Sequence, residues 1–245
     1  MLFFLTTLHA QKSIQDVSRI WIGWLNQTKL TDKWSLYLDA HFRTADHLID
    51  GHSFNIYDAG ISYFIRPQVK LTAAYGYIHE FPAAGHKLIS RPEHRPWQQL
   101  QWNTRYGKQR MMQWIRVEER FRRKISNDSV LGSGYNFNWR LRHLLLYEVP
   151  LSKHAFEPGT FAWVISNEVF LNMGHEVVNN IFDQNRFFTG LRLQVNRHDY
   201  VQIGYLNLFQ PTSTPGVYKD QHVLRMYYYQ QLDWSKHQPL AKKSS

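Results

Sequence analysis

Arginine and glutamate alternate along one short stretch, Met111–Lys124 (MMQWIRVEERFRRK). Read with period two, Trp114, Arg116, Glu118, Arg120 and Arg122 share one face, and Gln113, Ile115, Val117, Glu119 and Phe121 share the other. A strand sends alternate side chains to opposite faces. The spacing therefore predicts a ladder of guanidinium–carboxylate pairs on one side and a largely apolar band on the other. Glu and Arg three or four apart also pair on a helix, so the rest of the chain must decide the element. The guanidinium fork matches a carboxylate geometrically, and where arginines outnumber glutamates it is left to bind other anions. The same residue types recur on one face of other segments. The candidate site is the set Arg43, Arg105, Arg116, Glu118, Arg120, Arg140, Arg142, Glu168, Arg186 and Arg192, predicted to line an interior channel.

Other chemistries are weaker. A Ser, a His and an Asn or acidic residue on a barrel's outer face would suit attack on lipid esters. His41, His79, His86, His94 and His143 are available, with Ser53, Ser62 and Ser90, but in no recognisable spacing. His143 stands out because it interrupts an apolar face. His79 and Glu80 with His86, or His175 with Glu176, could be read as metal ligands, yet they lack fixed ligand spacing; the sequence argues for no metal and no cofactor. Arg91–Gln101 (RPEHRPWQQLQ) reads as a rigid strand entry whose Arg and Glu join the same charged face. Gly85, Gly132, Gly134 and Gly159 read as turn glycines, and no Gly-rich phosphate loop is present.

The elements that would position the charged face are strands. Eleven segments alternate: Ser18–Asn26, Trp34–Arg43, Phe54–Arg66, Val69–Glu80, Glu93–Tyr106, Met111–Lys124, Tyr135–Val149, Phe161–Asn172, Asn185–Val195, Tyr200–Phe209 and Gln221–Trp234. Several run 10 to 14 residues, against a mode of about 5–6 in globular sheets. No run approaches the roughly 18 apolar residues of a spanning helix, but barrel strands hide from such a test. Tight turns at Arg66–Gln68, Gly107–Gln109 and Asn196–Asp199 alternate with longer segments expected at Thr44–Ser53, Phe81–Pro92, Ile125–Gly134, Met173–Gln184 and Gln210–Asp220. Asn26–Lys33 and Pro150–Gly159 are intermediate. These features predict an all-β, antiparallel up-and-down transmembrane β-barrel of about 10–12 strands. Parity favours 10 or 12, because an even count brings both chain ends to one side. Trp21, Trp24, Trp34, Trp97, Trp102, Tyr227, Tyr228, Tyr229 and Trp234 lie toward strand ends and are expected to form interfacial girdles.

The chain has 245 residues, a formal net charge of +10 and no cysteine. The absence of cysteine excludes disulfides and thiolate metal sites. Basic residues are spread along the chain without a tail, which argues against nucleic acid as a partner. Met1–Ala10 (MLFFLTTLHA) reads as a truncated signal peptide, residues 11–234 as a single barrel domain, and 235–245 as a disordered tail. An aromatic core in a soluble, sugar-binding sandwich is the competing architecture.

His94–Trp102 (HRPWQQLQW), Ile115–Arg123 (IRVEERFRR), Trp139–Leu151 (WRLRHLLLYEVPL), Ser166–Asn172 (SNEVFLN), Phe182–Leu191 (FDQNRFFTGL), Tyr200–Asn207 (YVQIGYLN) and the early Lys33–Arg43 (KWSLYLDAHFR) form a succession. That succession resembles an uncharacterised family of Gram-negative outer-membrane β-barrel proteins, DUF2490, a domain of unknown function. The resemblance implies a barrel in the cell outer membrane, in contact with its lipid and lipopolysaccharide. It implies no activity and no catalytic residue. Three functions are open on this reading: a narrow porin-like channel for small anionic solutes, a plugged structural or assembly barrel, and a lipid-modifying enzyme.

Overall fold

A computed structural model describes residues 12–82, 88–174, 181–212 and 214–235. The expected signal segment Met1–Ala10, the tail beyond Ser235, and His86, His175 and Glu176 lie outside the described residues. Eleven strands follow one another: β1 Ser13–Lys29, β2 Trp34–Asp46, β3 Asp50–Arg66, β4 Val69–Glu80, β5 Arg91–Tyr106, β6 Gln109–Asn127, β7 Val130–Pro150, β8 Phe161–Met173, β9 Phe182–Gln194, β10 Asp199–Pro211 and β11 Val217–Asp233. Each pairs antiparallel with its neighbour in sequence, and one sheet closes on itself into a barrel. Closure removes the exposed edge that an open sheet would leave. A two-sheet sandwich is thereby excluded.

The closing pair differs from the rest. β1 and β11 run parallel along their whole length, from Ser13↔Val217 to Lys29↔Asp233. An even strand count, 10 or 12, is thus corrected to eleven: the seam absorbs the odd strand by pairing in parallel, so parity is no constraint. The rim holding Ser13 also holds the β2–β3, β4–β5, β6–β7, β8–β9 and β10–β11 connections.

Alternation explains which side chains face where, and it places charged groups inside and many apolar groups outside. Glu118, Arg140 and Lys70 are buried inside, at 0%, 5% and 8% exposure, while Ile22, Leu191, Ile203 and Leu224 lie outside at 41–46%. One outward row follows the register across six strands: Trp163, Leu191, Ile203, Met226, Ile22 and Phe42. Contiguous apolar surface on this scale marks contact with another apolar phase or partner.

The loops depart from expectation. Thr44–Ser53 and Ile125–Gly134 are not long loops: β2 and β3 extend to Asp46 and Asp50, and β6 and β7 meet across Asp128 and Ser129 only. In these extensions the clean apolar–polar alternation breaks down, and register shifts at Arg43/Thr44, Arg123/Ile125 and Ile125/Asn127 change the phase while pairing continues. Ser129 donates its backbone N–H to Asn127 Oδ1 at 3.0 Å, fixing the second turn. On the opposite rim the connection read as intermediate at Pro150–Gly159 is a loop of 10 residues, 151–160. The girdle assignment is also corrected in part. Trp21 and Trp97 are inside, 2% and 1% exposed, and Tyr227 and Tyr229 line the interior with them, because each falls on the inward phase of its strand.

Gly190 and Gly204 face each other across β9 and β10. A Cβ on Gly204 would come within 2.3 Å of Thr189 O and 2.9 Å of the Phe188 ring, which fills the space above the pair. Gly204→Ala is therefore expected to lower stability by about 1–3 kcal/mol through overpacking, measured as the shift in urea midpoint of the refolded barrel; an unchanged midpoint would mean that the paired β9 and β10 backbones part at little cost.

Candidate functional site

One cavity of about 1340 Å³ occupies the barrel axis. Its lining runs from Lys29, Gln68 and Arg105 at one mouth to Glu80, Arg122 and Gln210 at the other, so it reaches both rims. All ten residues of the candidate set border it: Arg43 from β2, Arg105 from β5, Arg116, Glu118 and Arg120 from β6, Arg140 and Arg142 from β7, Glu168 from β8, and Arg186 and Arg192 from β9. The period-two reading of β6 holds through the middle of the strand, with Trp114, Arg116, Glu118, Arg120 and Arg122 inward, and is broken by register shifts beyond Arg123.

Glu118 is the hub of one half of the lumen. Its register partner across the β6–β7 ladder is Arg140, whose Nε donates to Glu118 Oε2 at 2.7 Å. Arg142 Nη1 donates to Oε1 at 2.5 Å, and Arg95 and Arg116 approach to 3.8 and 3.9 Å. From this hub the network spreads both ways. Arg142 Nε donates to Glu168 Oε1 at 2.7 Å, and Arg186 is 3.9 Å from the other Glu168 oxygen. Arg140 Nη1 reaches Asp183 Oδ2 at 3.1 Å. On β5, Glu93 takes a two-pronged contact from Arg120, Nε to Oε1 at 2.8 Å and Nη2 to Oε2 at 3.0 Å, and a further bond from Arg95 Nε at 2.8 Å. Nearer the other rim, Arg192 Nη1 lies 3.0 Å from each Glu148 oxygen. Buried charges survive away from bulk water only when paired and hydrogen-bonded in this way.

Aromatic rings hold the guanidiniums in place. Arg116 lies over Trp97 at 3.7 Å, Arg192 over Tyr200 at 3.6 Å, and Arg225 over Phe188 at 3.4 Å. Stacking restrains a flexible side chain and leaves the N–H edge free for in-plane acceptors.

The charges do not balance. Fourteen arginines and two lysines line the cavity against nine carboxylates. Among the described residues, Arg43 and Arg105 have no carboxylate within 4.0 Å, so two members of the candidate set stand outside the ladder. The candidate set omits Trp21, Glu93, Arg95, Glu148, Asp183 and Arg225, although the Arg and Glu of Arg91–Gln101 already read onto the charged face. Alternation along β5 and β7 places Glu93, Arg95 and Glu148 on the inner face, where they line the cavity. Asp183 could not be found this way, since it enters the lumen next to a register shift at Phe170/Leu171.

The remaining candidates are scattered. Ser62 bonds Thr72 at 2.7 Å inside the wall, and Ser53 accepts from Arg19 Nη1 at 3.3 Å. His41 points inward beside Asp39, 3.3 Å away. His143 faces outward between Ile115 and Val169, its register partners. Among the described residues one group brings potential metal-ligand atoms within 4.8 Å of one another, Asp16, Asp220 and His222; it lies at the rim, away from the lumen.

No curated protein matches the chain, and no solved structure matches it. Residues 18–219, from within β1 to within β11, match the family described as "Protein of unknown function (DUF2490)", and the chain belongs to that family.

Proposed function

We propose that this protein is a Gram-negative outer-membrane barrel whose lumen passes small anions. The observation that carries the anion preference is the excess of guanidinium over carboxylate along a cavity reaching both rims. Rings of basic side chains select anions in narrow pores. The outer surface supports the location. In β2, Trp34 and Phe42 mark the two edges of the apolar band, eight residues apart in sequence. At a rise of ~3.3 Å per residue and a tilt of ~40° that is a band of roughly 20 Å, close to the ~25 Å apolar belt of such barrels. Membrane lipid and lipopolysaccharide are the partners of this surface, and small anionic solutes those of the lumen.

Refolded protein in planar bilayers is expected to conduct, with a reversal potential on the anion side in low salt, where screening is weakest. Arg105→Glu replaces an exposed mouth cation and is expected to shift the preference toward cations without harming the fold. Folded protein that gives no conductance would instead favour a plugged barrel stabilised by the Glu118 network.

A further inference from the structure

The ion-paired half of the lumen faces a wall of another kind. Trp21 of β1 has Arg43 of β2 as its register partner on one side and Arg225 of β11 on the other, across the parallel seam. Arg43 lies over the Trp21 ring at 3.9 Å, and Arg186 comes over the same ring at 5.1 Å. Arg225 covers Phe188 and lies 4.9 Å from the Tyr227 ring. The row continues into Gly204 and Gly190, which carry no side chain into the lumen.

Four buried N–H groups meet around this row: Trp21 Nε1, Arg43 Nε, Arg186 Nε and Arg225 Nε. None has an acceptor among the described residues. Trp21 is 2% and Arg225 9% exposed. Arg225 bonds a neutral amide, Gln202 Oε1, at 3.0 Å. Neither Arg225 nor Arg43 has a carboxylate within 4.0 Å among the described residues, and Arg186 has only Glu168 at 3.9 Å. Buried donors are normally satisfied, and buried guanidiniums are normally paired. Here several of both converge on an apolar wall, because Trp21, Phe188 and Tyr227 belong to the same buried cluster.

We propose that this row is a binding site for a small organic carboxylate with a planar apolar body. The guanidinium forks and the indole N–H take the carboxylate oxygens. The guanidiniums already cover the Trp21 and Phe188 faces, so the planar body stacks on the outer, cavity-side faces of those guanidiniums. The inference rests on the anion-path reading for access to the site, but binding is measured without it.

The test uses refolded protein in detergent, with tryptophan fluorescence and the thermal unfolding midpoint read against added benzoate, neutral benzamide and acetate. Benzoate is expected to saturate the fluorescence change and raise the midpoint, acetate to act more weakly, and benzamide to do neither. Arg225→Gln and Arg43→Gln are expected to weaken benzoate binding about tenfold each, the size of one charge-assisted hydrogen bond. Each removes a cation that has no acidic partner, so the fold is expected to survive. Should either glutamine variant not fold, Arg225→Lys keeps the charge, loses the fork, and is expected to weaken binding too. Equal effects of benzoate and benzamide, or variants that bind as the wild type does, would overturn the proposal. Conductance without benzoate binding overturns the site and leaves the channel; benzoate binding by a silent barrel does the reverse.

Discussion

Glu118→Gln should cost about 3–5 kcal/mol of barrel stability, the loss expected when one partner of a buried ion cluster is removed. Glutamine keeps the size of the side chain and drops its charge. Glu118 is fully buried, and its oxygens accept from Arg140 and Arg142 at 2.7 and 2.5 Å. Without the charge, Arg142 retains Glu168 and Arg140 retains Asp183, but Arg116 has no other carboxylate partner within 4.0 Å among the described residues. The repulsion among these cations is then uncompensated in a confined space. Equilibrium unfolding in urea, followed by the mobility difference of folded and unfolded barrel, measures the loss. A change below ~1 kcal/mol, typical of exposed pairs, would mean that lumen water already screens the cluster and that the ladder contributes little to the fold.

Ile203→Arg is the second large effect. Ile203 is 45% exposed at the middle of the outward apolar row, with Leu191 and Met226 as its register partners. On a barrel in water, such a change at an exposed position would lie within ~0.5 kcal/mol of neutral. On a barrel in lipid it should cost about 2–4 kcal/mol, the penalty for arginine near the bilayer midplane. Folding of the variant into phospholipid vesicles, compared with wild type, separates the two. Equal stability would argue that this surface meets a protein partner or water rather than hydrocarbon.

Much of this architecture is legible in the sequence because a closed barrel repeats one rule. Wherever one face is apolar and the other charged, alternation alone assigns inside and outside, as along β6 and β7, where Arg116, Glu118, Arg140 and Arg142 face the cavity. The rule weakens where register shifts interrupt the alternation, as at Arg123/Ile125 and Ile125/Asn127, where β6 runs past Lys124 and β7 begins before Tyr135. Aromatic residues mislead when they are read by type. Trp21 and Trp34 are the same amino acid, one packed among guanidiniums and the other on the outer surface at 47% exposure; only phase within the strand separates them. Ion-pair partners are not legible, because Arg192 meets Glu148 only through the β7–β8–β9 register. Least legible is the Arg43–Trp21–Arg225 row, whose ends lie on the second and last strands and meet only when the barrel closes.

That closure fixes where the two ends of the sheet emerge. Ser13 begins β1 beside Val217, and Asp233 ends β11 beside Lys29, so the first and last strand residues stand at opposite rims. Two strands of 17 residues at ~3.3 Å rise and ~40° tilt separate those rims by roughly 40 Å. A circular permutant could not rejoin them with the two- or three-residue linker that suffices for adjacent antiparallel ends; it would need at least about a dozen residues laid along the wall or through the bore. Peptide tags placed immediately before Ser13 and immediately after Asp233 would accordingly emerge at opposite rims of the barrel.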